Sequence, residues 1–192
     1  RQMCIRDSGR TNIALYEAQK MLKEAQEEDD KTGLSRCYNI MSQIYTVKRL
    51  DSMAFEWQLK EIELTEKYDL ENYNISQTYS QISSYYINTN QPEKALEALK
   101  KADATAYSPT QKISVQLEYV NYYSKFGDMQ AAEKILNECK TAFDQDKRLW
   151  SIKKRLYNIE YVYYLQSKQY PKALEAAKKQ EAEELNLSES IQ

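Results

Sequence analysis

The sequence has no histidine, and among its 192 residues only three glycines, three prolines and three cysteines. Glycine and proline together make up about 3%, against roughly 12% in ordinary usage. Sandwiches and barrels need a turn signal about every 8 to 12 residues, and phosphate-binding loops need glycine for close backbone approach, so the sequence speaks against both. Without histidine there is no Ser-His-Asp triad, no Cys-His dyad and no imidazole general base. No run approaches the ~18 apolar residues of a membrane span. Charge is nearly balanced, 27 Lys plus Arg against 29 Asp plus Glu. What is present is a 42% hydrophobic fraction beside 29% charged residues, and seventeen tyrosines against three phenylalanines. That composition builds a core from long helices with short joints. So many tyrosines over so few phenylalanines predict half-wet ring sites, with packed bodies and solvated hydroxyls.

The two ends read differently from the middle. Residues 1–8, Arg-Gln-Met-Cys-Ile-Arg-Asp-Ser, resemble a translated sequencing adapter: AGATGTGTATAAGAGACAG, read in its third frame, encodes Met-Cys-Ile-Arg-Asp. They are set aside as an artefact and expected to carry no structure. Cys37 and Cys139, each inside a helical pattern, read as small core residues and not as a disulfide or metal pair. No cofactor or metal site is expected, and localisation is open.

Self-comparison reveals a repeat. Tyr38, Met41, Ser42 and Tyr45 recur as Tyr79, Ile82, Ser83 and Tyr86, each 41 residues on, at intervals that share one helical face. A second helix follows, marked near its start by Ala54, Ala95, Ala132 or Ala173, spaced 41, 37 and 41 residues. Pro92 and Pro171 fit first turns, where a missing N–H is no loss. Asn90 with Glu93, Ser108 before Pro109, and Gly127-Asp128 read as helix starts.

These residues resemble the tetratricopeptide repeat family of helix-turn-helix solenoids. The match is carried by Tyr79, Ile82, Ser83 and Tyr86 in one first helix and by Ala95, Leu99 and Ala102 in its partner. The departures are a period of 37 to 41 residues against the family's 34, and Ser42, Ser83, Val120 or Tyr161 at the small glycine place. Seven extra residues are two helical turns, so lengthening each helix by one turn keeps the facing side chains in register. The expected fold is an all-α solenoid: an orphan helix over residues 10–30, then pairs at about 34–68, 74–105, 109–143 and 147–186. The array reads as cut at both ends, with Leu187 to Ile191 where a further first helix would begin.

The resemblance implies that the first helix of each pair lines a concave groove. Carried onto this sequence, the inward places of the first pair are Arg36, Asn39, Gln43 and Val47. Those of the second are Gln77, Ser80, Ser84 and Ile87, and of the third Ser114, Leu117, Asn121 and Ser124. In the fourth pair two registers stay open: Arg155, Asn158 and Val162 face in, or Lys154, Tyr157 and Tyr161 do, with Leu156, Ile159 and Tyr163 then the core row. Amides and hydroxyls there could bond the backbone of an extended peptide or stand solvated. Members that grip acidic chaperone tails use cations at the middle inward places, which the first three pairs lack, so that function is not expected.

Lys147, Arg148, Lys153, Lys154 and Arg155 crowd the fourth first-helix near Trp150 and Tyr157, but with Asp144, Asp146 and Glu160 adjoining they read as a solvated helix end, not a nucleic-acid site. Glu27 to Asp30 read as a charged loop. The sequence predicts a non-catalytic scaffold that binds a protein or extended peptide, with no nucleic acid and no membrane contact in this stretch. A rival expectation is the sensory N-terminal region of a bacterial membrane-bound histidine kinase or transcription regulator.

Overall fold

The computed structural model describes residues 2–189, with side chains over residues 10–183. It is all helix: α1 (Gln2–Glu27), α2 (Lys31–Val47), α3 (Asp51–Tyr68), α4 (Ile75–Asn88), α5 (Pro92–Thr105), α6 (Pro109–Phe126), α7 (Met129–Gln145), a 3-10 segment (Lys147–Ile152), α8 (Lys153–Gln166) and α9 (Tyr170–Glu189). Sequence neighbours form the pairs α2–α3, α4–α5, α6–α7 and α8–α9, while α4 lies against α6 and α6 against α8, so the first helices of the last three pairs run side by side. The buried side chains fall into three successive clusters, one around Met41 and Ala54, one around Tyr79, Ile82 and Ala102, and one around Leu117, Leu136 and Leu156. Each repeat thus buries its apolar face against its neighbours alone, which is the architecture of a solenoid.

The turn inside each pair explains how so little glycine suffices. Arg49, Asn90, Gly127 and Lys168 all sit at positive φ, in or near the left-handed region, each five residues before its marker alanine. Each also lies four residues after a tyrosine: Tyr45, Tyr86, Tyr123 or Tyr164. In three of the pairs the next N–H returns to that tyrosine's carbonyl, Leu50 to Tyr45 at 3.0 Å, Gln91 to Tyr86 at 2.9 Å and Gln169 to Tyr164 at 2.8 Å, the closing bond of a Schellman end. Only one of the four turns uses glycine, at φ 100°. The others place a long or polar side chain in the left-handed region at about 1 kcal/mol or more each. That is tolerated because tertiary packing fixes the helix ends.

The marker alanines are all buried, Ala95 and Ala132 completely. Ser83 Oγ donates to the Ala95 carbonyl at 3.0 Å, and Ser76, seven residues back in α4, donates to Ala102, seven residues on in α5, at 2.8 Å. Small residues let the two backbones approach, and a hydroxyl bridges them at both contacts. Ala95→Leu should therefore overpack the crossing and lower stability by ~1 to 3 kcal/mol, read as a shifted denaturation midpoint. On a surface the exchange would be nearly neutral, since Leu almost equals Ala as a helix former.

Several local expectations change. The helix begins at Gln2, so residues 2–8, expected to lack structure, continue α1; Gln-Met-Cys-Ile-Arg-Asp-Ser contains no proline or glycine to stop it. Arg1 lies outside the described residues. At the other end, Leu187 to Glu189 extend α9 and do not begin a new helix, while Ser190 and Ile191 lie outside the description. Asn90 does not cap α5: it takes the left-handed turn position, and Gln91 precedes the helix without a side-chain cap. The same place, four residues after the repeat tyrosine, is left-handed in all four turns, so Asn90 is taken up by the turn and the helix starts beyond it. Ser108 and Gln111 form a full capping box, and Asp128 accepts from the Ala131 N–H at 3.0 Å. Asp30 closes the charged loop as the cap of α2, and a Cβ at Gly33 would crowd the Asp30 carboxylate that accepts from the Gly33 N–H. Cys37 and Cys139 are free and buried. Nine of the seventeen tyrosines are half-buried, the half-wet environment their abundance implies.

Candidate functional site

Along one side of the array α4, α6 and α8 present polar side chains to two clefts. The larger, of about 620 Å³, is lined from α4 by Ser84 and Asn88, from α6 by Glu118 and Asn121, and from the last pair chiefly by Lys154, Arg155, Asn158 and Val162. The smaller, of about 160 Å³, lies between Ser76, Gln77 and Ser80 of α4 and Thr110, Gln111 and Ser114 of α6, closed by Ile152 and Arg155. A third cleft of about 480 Å³ opens between α2 and the 70–74 loop, with Arg36, Asn39 and Glu61 in its wall.

Two buried carboxylates organise these clefts. Glu118 is 3% exposed. Its Oε1 accepts from Ser84 Oγ at 2.7 Å and Asn121 Nδ2 at 2.9 Å, and its Oε2 from Arg155 Nη2 at 2.9 Å. One acid thus ties α4, α6 and α8 together. Glu61, 1% exposed, accepts from Asn39 Nδ2 at 3.1 and 3.3 Å, Asn72 Nδ2 at 2.9 Å and Thr78 Oγ1 at 3.1 Å. Every one of these donors is neutral. Burial raises the Glu61 pKa above its ordinary 4.5, and the hydrogen bonds from Asn72, Asn39 and Thr78 oppose that shift without cancelling it. A third buried acid, Glu160, pairs with Lys140 at 2.9 Å.

Of the expected groove residues, Arg36 and Asn39 line the α2 cleft, Gln77 and Ser80 the smaller α4–α6 cleft, and Ser84, Asn121 and Asn158 the larger one. Gln43 is exposed and donates to Asn39 Oδ1 at 2.6 Å. Ser80 is buried and spends its hydroxyl proton on the Ser76 carbonyl. Leu117 does not line the groove: it is fully buried in the core with Val120 and Leu136, and Glu118 takes the inward place. The inward row of α6 steps from 114 by four to 118, not by three to 117, and an apolar side chain follows the core. Ile87, 1% exposed, is also core, whereas Val47 stands in solvent. In α8 the registers mix: Leu156, Ile159 and Tyr163 are buried, yet Lys154, Arg155, Asn158 and Val162 line the cleft.

The basic cluster does not form one surface. Arg148 grips Asp146 at 2.7 Å, Lys153 lies over the Trp150 ring and 3.5 Å from Glu183, and Arg155 turns into the groove toward Glu118. Sequence reading missed Glu61 and Glu118 as site residues. The signal available was spacing: Glu61 shares a row with Ala54, Gln58 and Thr65, all buried.

Fold and groove together define a class, an all-α helical-repeat solenoid with a polar face. Residues 46–183, well over half of the chain, match the family described as 26S proteasome subunit RPN7, and the chain belongs to that family. Among solved structures, BtubC (BKLC) from P. vanneervenii superposes with a TM-score of 0.67 at 14% identity, over 95% of this chain and 76% of that one, a likeness of fold alone. No curated protein matches. Among the described residues, no helix is long and apolar enough to cross a membrane.

Proposed function

We propose that the chain is a non-catalytic protein-binding scaffold of long tetratricopeptide-type repeats, receiving an extended protein segment along α4, α6 and α8. The observation that carries this reading is the convergence of polar side chains, most of them amides and hydroxyls, from three adjacent helices on two clefts that share Ile152 and Arg155 in their walls. Asn88 and Asn158 are exposed there, and amides can both donate to and accept from a peptide backbone. Membership in a family named for a subunit of a larger assembly favours a protein partner. The scattering of Arg148, Lys153 and Arg155 among separate acids speaks against a nucleic acid.

The test is selection from a random peptide library, followed by titration against Asn158→Ala. Asn39 and Asn121 are poor probes, because each donates to a buried carboxylate and its loss would disturb the fold. Asn158 is exposed, so Asn158→Ala should weaken binding by roughly 1 to 2 kcal/mol while stability stays within ~0.5 kcal/mol. Raising salt from about 0.05 to about 0.5 M should change affinity only a few-fold, since neutral hydrogen bonds are screened little. Strongly salt-dependent binding that ignores Asn158→Ala would contradict the reading.

A further inference from the structure

Two of the joints between pairs carry tyrosines that stand in solvent. Tyr73, in the loop before α4, is 61% exposed, and Tyr107, in the loop before α6, is 63% exposed. Their rings meet edge to face, with centroids 5.8 Å apart and planes at 69°, so they frame a corner with two aromatic walls. Gln111 holds both loops in place: its Nε2 donates to the Tyr73 carbonyl at 2.8 Å, and its Oε1 accepts from the Tyr107 N–H at 3.1 Å. The corner is set by these backbone anchors and not by burial of its rings. Tyr73 also lines the cleft of about 480 Å³ beside α2, so corner and cleft are continuous. Most acceptors in that cleft are already taken. Both Glu61 oxygens accept from amides, and one also from Thr78. Asn39 Oδ1 accepts from Gln43 Nε2 at 2.6 Å and Asn72 Oδ1 from the Asn74 N–H at 2.9 Å, while the Tyr73 hydroxyl engages Glu71. The free groups are chiefly donors. The Arg36 guanidinium, with five donors and no acceptor, is exposed in the same wall without a partner among the described residues, and Asn74 adds a free amide.

We propose that the Tyr73–Tyr107 corner and the cleft beside it form a second docking site, separate from the α4–α6–α8 groove, for a proline-rich extended segment of a partner protein. Proline has no N–H, so such a segment arrives with carbonyls to be donated to and few donors in search of an acceptor, which is the complement of this wall. Its polyproline II backbone makes no internal hydrogen bonds, keeps its carbonyls in solvent and is ordered before it binds, and aromatic-lined surfaces are where such segments dock. A single-stranded nucleic acid can also lay a base on an exposed ring, but its phosphates would meet the Glu71 carboxylate at the Tyr73 hydroxyl.

The experiment titrates the full chain, labelled with nitrogen-15, with decaproline blocked at both ends and with a glycine–serine peptide of the same length. Decaproline should shift the amide resonances of Tyr73, Asn74 and Tyr107 and leave that of Asn158 in place, while the glycine–serine peptide should shift none of them. Tyr107→Ala, a change at an exposed ring, should weaken decaproline binding about tenfold, the share of one aromatic anchor, and Tyr107→Phe should retain it. Arg36→Met should weaken it several-fold. Decaproline that leaves these amides in place, a glycine–serine peptide that binds as well, or binding indifferent to Tyr107→Ala overturns the proposal. If Tyr107→Ala fails to fold by circular dichroism, Arg36→Met decides, and indifference to it overturns the proposal. Oligothymidine that shifts the same amides where decaproline does not would give the corner to nucleic acid and overturn it as well. None of these outcomes bears on the α4–α6–α8 reading, which is probed at Asn158.

Discussion

Leu117→Ala is expected to destabilise the chain by about 2 to 5 kcal/mol, the range for emptying a packed leucine site. Leu117 is fully buried among Val120, Ala132, Leu136 and Leu156, side chains drawn from three different helices. Removing it leaves a cavity that α6, α7 and α8 would all have to move to fill. For a chain of this length each 1 kcal/mol lowers the melting temperature by about 2 to 4 °C, so the loss is plain in a thermal scan. The same substitution in a groove wall would stay within about 0.5 kcal/mol and would affect binding instead. A melting temperature within a degree of wild type would return Leu117 to the groove and displace Glu118 from it.

That one-residue difference shows where the sequence is legible. Pair boundaries were readable because they rest on strong local chemistry: Ser108 with Pro109 and Gln111, Gly127 with Asp128, and alanines at a fixed interval. The left-handed turns at Arg49 and Lys168 were not, since nothing about arginine or lysine marks that conformation, and Asn90, whose side chain suits either a turn or a cap, read as a cap. Their regularity emerges only once the fold supplies the φ angles. The groove was legible as a face but not as a set of atoms. Hydrophobic periodicity fixes which side of a helix is buried to within about one position, and at α6 that margin separates Leu117 from Glu118. Buried acids are harder still. With 29 acids in the chain, an acid's burial depends on whether distant residues supply its donors. Asn72, Thr78 and Arg155 lie 11, 17 and 37 residues from the carboxylates they serve.

Glu61 shows what such a carboxylate does for the fold, and Glu61→Leu should cost about 2 to 4 kcal/mol. The substitution strands the amides of Asn39 and Asn72, each a donor in a part-buried setting, whose unmade bonds cost about 1 to 3 kcal/mol apiece. Thr78 suffers less, because its hydroxyl can turn to the Asn74 carbonyl at 3.5 Å. Asn72 retains only marginal contacts with Ser35 and Thr65, both at 3.5 Å. Since Asn72 sits in the 70–74 loop joining α3 to α4, losing its acceptor also loosens the joint between two repeats. The charge itself acts in the opposite sense. Burial raises the Glu61 pKa above 4.5, so between that value and the folded-state value the folded chain binds more protons than the unfolded one. Its stability therefore falls as pH rises through that window, and is greatest, as far as this group goes, when Glu61 is protonated. Glu61→Gln keeps the shape and removes the titration. The stability of wild type relative to Glu61→Gln, taken from denaturant midpoints, should then be highest near pH 4 and decline toward pH 7. A difference that grows with pH would mean the three donors outweigh burial, and that Glu61 is held ionised in the groove wall.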